Sequence, residues 1–253
     1  MDELITPGPA AALAGLLGVP APAAELPPLW HWVYLLDRPP QADLGPDGHP
    51  VRGVTLVPPG PGRRRMWAGG RVRVLGSVHF GQEARRNSAV TSTVDKEGTS
   101  GPLTFVTVTH EIRQGGRAVI VEEQDVVYRA PGPELPGVQD DPVPAGPREW
   151  EIETSPTLLF RFSALTYNGH RIHYDRDYAR DVEGYPGLLT HGPLQALAMA
   201  WSLRAGPRGT FSYRLLAPLF DFQGMRVSAA PDGTAAVRDR GGRQTAAGRW
   251  EPA

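Results

Sequence analysis

The sequence predicts an α+β fold in which antiparallel sheet wraps around a central helix, and three observations carry that expectation. Two long β-branched segments, 103–113 (LTFVTVTHEIR) and 117–129 (RAVIVEEQDVVYR), flank Gln114-Gly115-Gly116, a turn that supplies the positive φ an antiparallel hairpin needs. Strand-like runs at 210–215, 224–229, 234–239 and 244–250 follow one another towards the C-terminus. Between these groups, the segment 193–205 (PLQALAMAWSLRA) is apolar on nearly every side, as a helix enclosed by its surroundings must be.

In chain order, a short helix is expected at 10–17, then strands at 71–75 and 89–94 that complete a sheet with the hairpin. The repeated Pro and Gly of 131–148 deny both helix and ladder hydrogen bonds, so this stretch reads as a linker between an N-terminal part, 1–130, and a C-terminal part, 149–253. After it, 157–165 reads as a strand and 166–190 as an irregular polar segment. Pro193 suits a first helical position and Gly206 a residue beyond the end, which gives a helix of roughly 20 Å at 1.5 Å per residue. The two parts have similar size and strand content, which implies a duplicated unit with the first copy degenerate.

Composition removes several function classes. Lys+Arg 26 against Asp+Glu 27 leaves a net charge of -1, so no overall basic field draws in nucleic acid or an anionic membrane. The absence of cysteine excludes disulfides, thiolate nucleophiles and Cys-ligated metals, and fits a reducing, cytoplasmic setting. The apolar stretch from Ala10 is broken by Pro20 and Pro22, and no segment reaches the roughly 20 apolar residues of a membrane span. A Gly-x-Ser-x-Gly nucleophile motif is also missing.

Chemistry-bearing side chains cluster in Thr166-Tyr167-Asn168-Gly169-His170-Arg171-Ile172-His173-Tyr174-Asp175 and in Gly184-Tyr185-Pro186-Gly187-Leu188-Leu189-Thr190-His191-Gly192-Pro193. Three of the seven histidines fall here, just before a buried helix whose unpaired N–H groups and dipole make an electrophilic site. Solvated loop residues are the plain alternative. Another is a metal site in which His170, His173 and Asp175 are joined by His191.

At these residues the sequence resembles the MaoC-like hydratase/dehydratase families of the hot dog fold, whose Ser/Thr-Gly-Asp-x-Asn-Pro-[aliphatic]-His run aligns with Thr166 to His173. TYNGHRIHYD and YPGLLTHGPLQ are most similar to the branch holding mesaconyl-CoA hydratase and type 2 hydroxyacyl-thioester dehydratase; the wording around 26–32 and the SGPLTFVTVTHEIRQGG hairpin extend the likeness over most of the chain. The resemblance implies a double hot dog, two units of antiparallel sheet wrapped around a central helix. It also implies reversible hydration of a 2-enoyl thioester on coenzyme A or an acyl carrier protein, with no metal or redox cofactor and a homo-oligomeric state. His173 then moves the proton, since a neutral imidazole exchanges protons near neutrality, and the backbone N–H of Gly192 meets the thioester oxygen. Asn168 replaces the superfamily aspartate; an amide cannot be a base, so it orients the water.

His170, in the superfamily Asn position, either orients the loop, shares the proton or is a satisfied turn histidine. Arg171, Tyr167 and Gly187 are expected along the substrate, with Arg171 as a bidentate partner for a carboxylated acyl group. Arg161 and Arg176 could likewise meet a carboxylate or the carrier phosphates. Asp175 is expected to cap a short helical turn over 176–182 and His191 to be structural. A thioester-binding protein without turnover, or a fatty-acid dehydratase, remain the other functions compatible with the motif.

Overall fold

A computed structural model describes residues 1–52, 64–98, 101–129 and 149–253. Ten strands among these residues form one antiparallel sheet. The first half contributes β1 (Asp2–Leu4), β2 (Arg64–Val74), β3 (Glu83–Gly98), β4 (Gly101–Gln114) and β5 (Arg117–Arg129). The second contributes β6 (Trp150–Ile152), β7 (Gly209–Leu215), β8 (Met225–Ala229), β9 (Thr234–Arg238) and β10 (Gln244–Pro252). Their order is β1-β3-β4-β5-β2-β7-β10-β9-β8-β6. Read outward from the β2–β7 junction, each half runs in the same sequence of its own strands, second, fifth, fourth, third, first. The hot dog topology therefore occurs twice, and the two copies join where Gly69 to Val74 pair with Arg214 to Gly209.

The hairpin forms as expected: β4 and β5 pair over their length, and Gly115 (φ 57) and Gly116 (φ 77) close it in the left-handed region. The strands expected at 71–75 and 89–94 are the ends and middles of longer ones, β2 and β3, because pairing partners extend them through the polar residues that flank each apolar run. The stretch 131–148 lies outside the described residues.

Four α-helices accompany the sheet among the described residues. Helix α1 (Pro7–Leu17) starts three residues before the expected 10–17, at a proline, and stops at Gly18 (φ 68). Its Leu13 and Leu17 join the same core as Val72, Ile112 and Ile120 of the first half. Helix α2 (Pro156–Leu165) occupies the segment read as a strand. Ser155 caps it by accepting from the Leu158 N–H, Pro156 fits its first turn, and the buried Leu159, Phe162 and Ser163 follow helical spacing. Helix α3 (Arg176–Asp181) is capped by Asp175, whose carboxylate accepts from the Tyr178 N–H, as expected. Helix α4 (Gly192–Ser202) is the enclosed helix, packed on β7, β8, β9 and β10.

Every residue of α4 from Leu194 to Ala200 is buried, including Gln195, whose side-chain oxygen accepts from Thr245 Oγ1 at 2.8 Å. That bond satisfies the amide oxygen, and the side chain also borders a large cavity. The helix ends three residues short of the expected Ala205, because Leu203 closes it and Arg204 turns into the left-handed region at φ 52. Among the described residues no helix is long and apolar enough to cross a membrane.

Candidate active site

A cavity of about 1470 Å³ opens where the two halves meet, lined from the second half by Asn168, His170, His173 and Gly192 and from the first by His49 and Arg65. Such a volume exceeds that of ordinary small-molecule pockets and has room for an acyl group with part of a carrier arm.

His173 lies on a 3₁₀ turn, Arg171–His173, between α2 and α3. Its Nδ1 is 2.8 Å from the carbonyl of Leu189. A carbonyl oxygen only accepts, so Nδ1 carries the proton and Nε2 presents a lone pair. Burial lowers the pKa of this imidazole to about 4, against the opposing pull of the Leu189 carbonyl, so the ring is neutral at physiological pH. The His191 ring stacks on it with centroids 3.6 Å apart and planes at 19°. His191 is the N-cap residue of α4, and its Nε2 lies 2.9 Å from Ser163 Oγ of α2. Its own pKa is held well below the usual value by burial and then by His173. Two neutral rings face each other, and α2 and α4 hold the pair.

Gly192 opens α4 directly after His191, so its N–H belongs to the first turn, where no intrahelical acceptor exists. A Cβ here would lie 2.1 Å from Leu215 Cδ1, another residue of the cavity wall. Glycine therefore keeps both the N–H and the wall accessible. Asn168 Oδ1 accepts from the His170 N–H at 3.0 Å, which sets the turn carrying both histidines and leaves the amide NH₂ to donate towards a water. Asn168→Ala is expected to lower kcat/KM about tenfold, and Asn168→Asp, which keeps the turn acceptor, to stay within a few-fold of wild type. Wild-type kinetics in the alanine variant would remove Asn168 from the site.

Tyr167 sits at the cavity rim, 55% exposed, with φ 52. Two expected substrate contacts are placed differently. The Arg171 guanidinium is committed to Asp175 (3.0 and 2.7 Å) and to the Pro46 carbonyl (3.0 Å) and lies over the Tyr178 ring, so it braces the loop and does not line the cavity. Gly187 is also off the lining: its missing Cβ admits Asp221 and Phe222, and Asp221 in turn accepts from the Leu188 N–H next to the carbonyl that fixes His173. Arg176 pairs with Asp221, and Arg161 is exposed.

The loop at 45–50, which no motif in the sequence marks as part of a site, also lines the cavity. Asp47 accepts from His49 Nδ1 and from the His49 N–H, both at 3.0 Å, and the His49 ring lies 3.9 Å from that of His170. The Arg171 N–H donates to the Asp47 carbonyl at 2.9 Å, and Gly48 packs its backbone on that of Gly169. The signal was a D-x-H pair in a Pro/Gly loop (GPDGHP), with nothing in the sequence to say that it meets a loop over a hundred residues away. Asp47, His49 and His170 each offer a ligand atom within 4.8 Å of the others and could hold a metal ion. The set proposed from the motif is not assembled, since Asp175 faces Arg171.

Burial lowers the pKa of five histidines, His49, His110, His170, His173 and His191. Unfolded, they take up protons near 6.5, so the stability they confer is present above that pH and is lost as pH falls towards the folded values. His173 alone accounts for roughly 3 kcal/mol of this over the window from 6.5 to about 4. The urea midpoint is expected to drop steadily between pH 7 and pH 4.5. A midpoint constant over that range would contradict the neutral histidine cluster.

Two hot dog units sharing one sheet, with a neutral imidazole beside a helix N-terminus in the wall of a large cavity, define the double hot dog class of thioester hydratases and dehydratases. Residues 29–221 match the family model described as hydroxyacyl-thioester dehydratase type 2, and the chain belongs to that family. It is 48% identical over 231 residues to mesaconyl-C(4)-CoA hydratase of Chloroflexus aurantiacus, an alignment covering 88% of this chain and 81% of that protein. Among solved structures, HtdX of Mycobacterium tuberculosis superposes with a TM-score of 0.67 at 14% identity, covering 100% of this chain and 98% of that one. A second protein of that organism, described as having a double hotdog fold, gives 0.56 at 16%, with coverage of 99% and 92%. These two likenesses establish the fold.

Proposed function

We propose that this protein is a hydro-lyase that adds water reversibly to a 2-enoyl thioester. The carrying observation is His173, neutral, with Nδ1 held by a carbonyl and Nε2 free, in one cavity with the opening turn of α4. As water attacks the β carbon, Nε2 takes one of its protons and the double-bond electrons move through the α carbon onto the thioester oxygen. The Gly192 N–H and the helix dipole stabilise that enolate. The imidazolium then returns its proton to the α carbon, the carbonyl re-forms, and His173 is neutral again. One group serves both transfers, and Asn168 donates to the water.

A short dicarboxylic acyl-CoA is the substrate class that the 48% identical relative supports. In mesaconyl-C(4)-CoA the free carboxylate is borne on the β carbon, so the site must receive an anion beside the attacking water. Crotonyl-CoA presents the same reacting bond without the anion. Incubation with each, followed by loss of the enoyl absorbance and mass analysis of the product, tests the reaction: a hydrated product is expected, faster from the carboxylated thioester. Binding of both thioesters with conversion of neither would instead make this a carrier protein, and faster turnover of crotonyl-CoA would favour the fatty-acid dehydratase reaction.

A further inference from the structure

Among the cations of the cavity wall, most are already engaged. Arg86 pairs with Asp37, Arg52 with Asp43 at 3.8 Å, Arg129 bonds the Tyr185 hydroxyl, and Arg38 lies exposed. Arg65, on β2, is different: among the described residues no carboxylate is within ion-pair distance, although its neighbour Arg64 holds Glu183 at 2.9 Å. Arg65 is half-buried, and a site keeps such a cation without an ion pair when a ligand brings the missing charge.

We propose that Arg65, with His49 and His170 beside it, forms a carboxylate-binding corner of the cavity that receives the free carboxylate of the acyl group, an assignment that rests on the thioester-hydratase reading. Arg65 comes from the first half and the two histidines that line the cavity with it come from both, so the interlocked loops at Gly48 and Gly169 place the corner next to His173, whose ring lies 5.5 Å from that of His170. The charge of Arg65 acts on both His49 and His170, lowering the pKa of each in addition to the dominant effect of burial, and burial also lowers that of Arg65. The charge of Asp47 also acts on Arg65, but its carboxylate is tied to His49 and forms no ion pair with the guanidinium. The same positive charge opposes a metal ion at Asp47, His49 and His170, so an anion is the better ligand for this group. A planar guanidinium also matches a carboxylate through two parallel N–H donors, which a lysine could not offer.

Succinyl-CoA and butyryl-CoA test the corner without turnover, because they have equal chain length, differ by carboxylate against methyl and carry no double bond. Calorimetric titration of the wild-type protein is expected to show succinyl-CoA bound at least tenfold more tightly. Arg65→Met is expected to abolish that preference while leaving butyryl-CoA affinity within about threefold, and Arg65→Lys to reduce the preference. Equal binding of the two thioesters by wild type overturns the proposal, as does an equal loss on both in Arg65→Met. Should the methionine variant fail to fold, an unchanged preference in Arg65→Lys overturns it instead. A protein that keeps the succinyl preference but hydrates no enoyl thioester would contradict the hydratase reading and leave the carboxylate corner standing.

Discussion

His173→Ala is expected to lower kcat/KM for an enoyl thioester by roughly 10²–10⁴, the usual range for loss of a general acid–base group. The fold should survive, because the ring makes a single hydrogen bond, to Leu189, and the two helices that flank the site are fixed by their own cores. The loss should fall on kcat more than on KM, since His173 acts on the proton in flight and not on the carrier. His173→Gln is a sharper control: its amide can donate to the Leu189 carbonyl as Nδ1–H does, but it has no lone pair of comparable basicity, so it should be as slow as the alanine variant. A folded His173→Ala protein that turns over within a few-fold of wild type would remove the mechanism.

The second large effect is expected far from His173 in sequence. Gly48 has φ 87, and a Cβ added there would lie 1.9 Å from the Gly169 carbonyl oxygen, which is backbone and cannot swing aside. Gly48→Ala must therefore separate the loop at 45–50 from the loop carrying His170 and His173, breaking the Arg171 N–H to Asp47 carbonyl bond between them. The combined left-handed strain and overpacking should cost about 2–4 kcal/mol of stability. A displacement on the order of 1 Å at the reacting groups should lower kcat/KM about a hundredfold. Denaturant unfolding and steady-state kinetics on the same preparation check both. Wild-type stability with wild-type kinetics would mean that the first half contributes nothing to assembly of the site.

What the sequence disclosed follows from how local each signal is. The β4–β5 hairpin was legible because its turn glycines and its β-branched strands lie within 29 residues of one another, and α4 because an uninterrupted apolar run bounded by Pro and Gly has few other solutions. The segment at α2 was misread because TLLFRFSAL offers aromatic and aliphatic residues that suit a strand as well. The arbiter was the cap: Ser155 followed by Pro156 starts a helix, and three buried positions at helical spacing complete it. The three-residue strands β1 and β6 are too short to carry a periodic signal.

The site divides in the same way. Asn168, His173 and Gly192 were readable because Asn168 and His173 lie five residues apart in one motif and Gly192 opens α4 after a second, and the fold brings both motifs to the wall of one cavity. Arg171 was misassigned because a motif position gives the residue type but not the direction of its side chain, and Asp175, four residues on, had the stronger claim on the guanidinium. His49 and Arg65 could not have been found, since they reach the cavity only through the β2–β7 pairing and the contact of two glycines on different loops.

The pH dependence of kcat/KM tests the central claim, that one neutral, buried histidine performs the proton transfers. The free-enzyme profile for crotonyl-CoA, whose acyl group has no carboxyl to titrate, is predicted to stay level from neutrality down to about pH 5 and then to fall with a single ionisation near 4, the value at which His173 takes up its proton. An acid limb near 6.5, or a limb that needs two protons and shifts in a His49→Gln or His170→Gln protein, would contradict it and place the base elsewhere in the cavity.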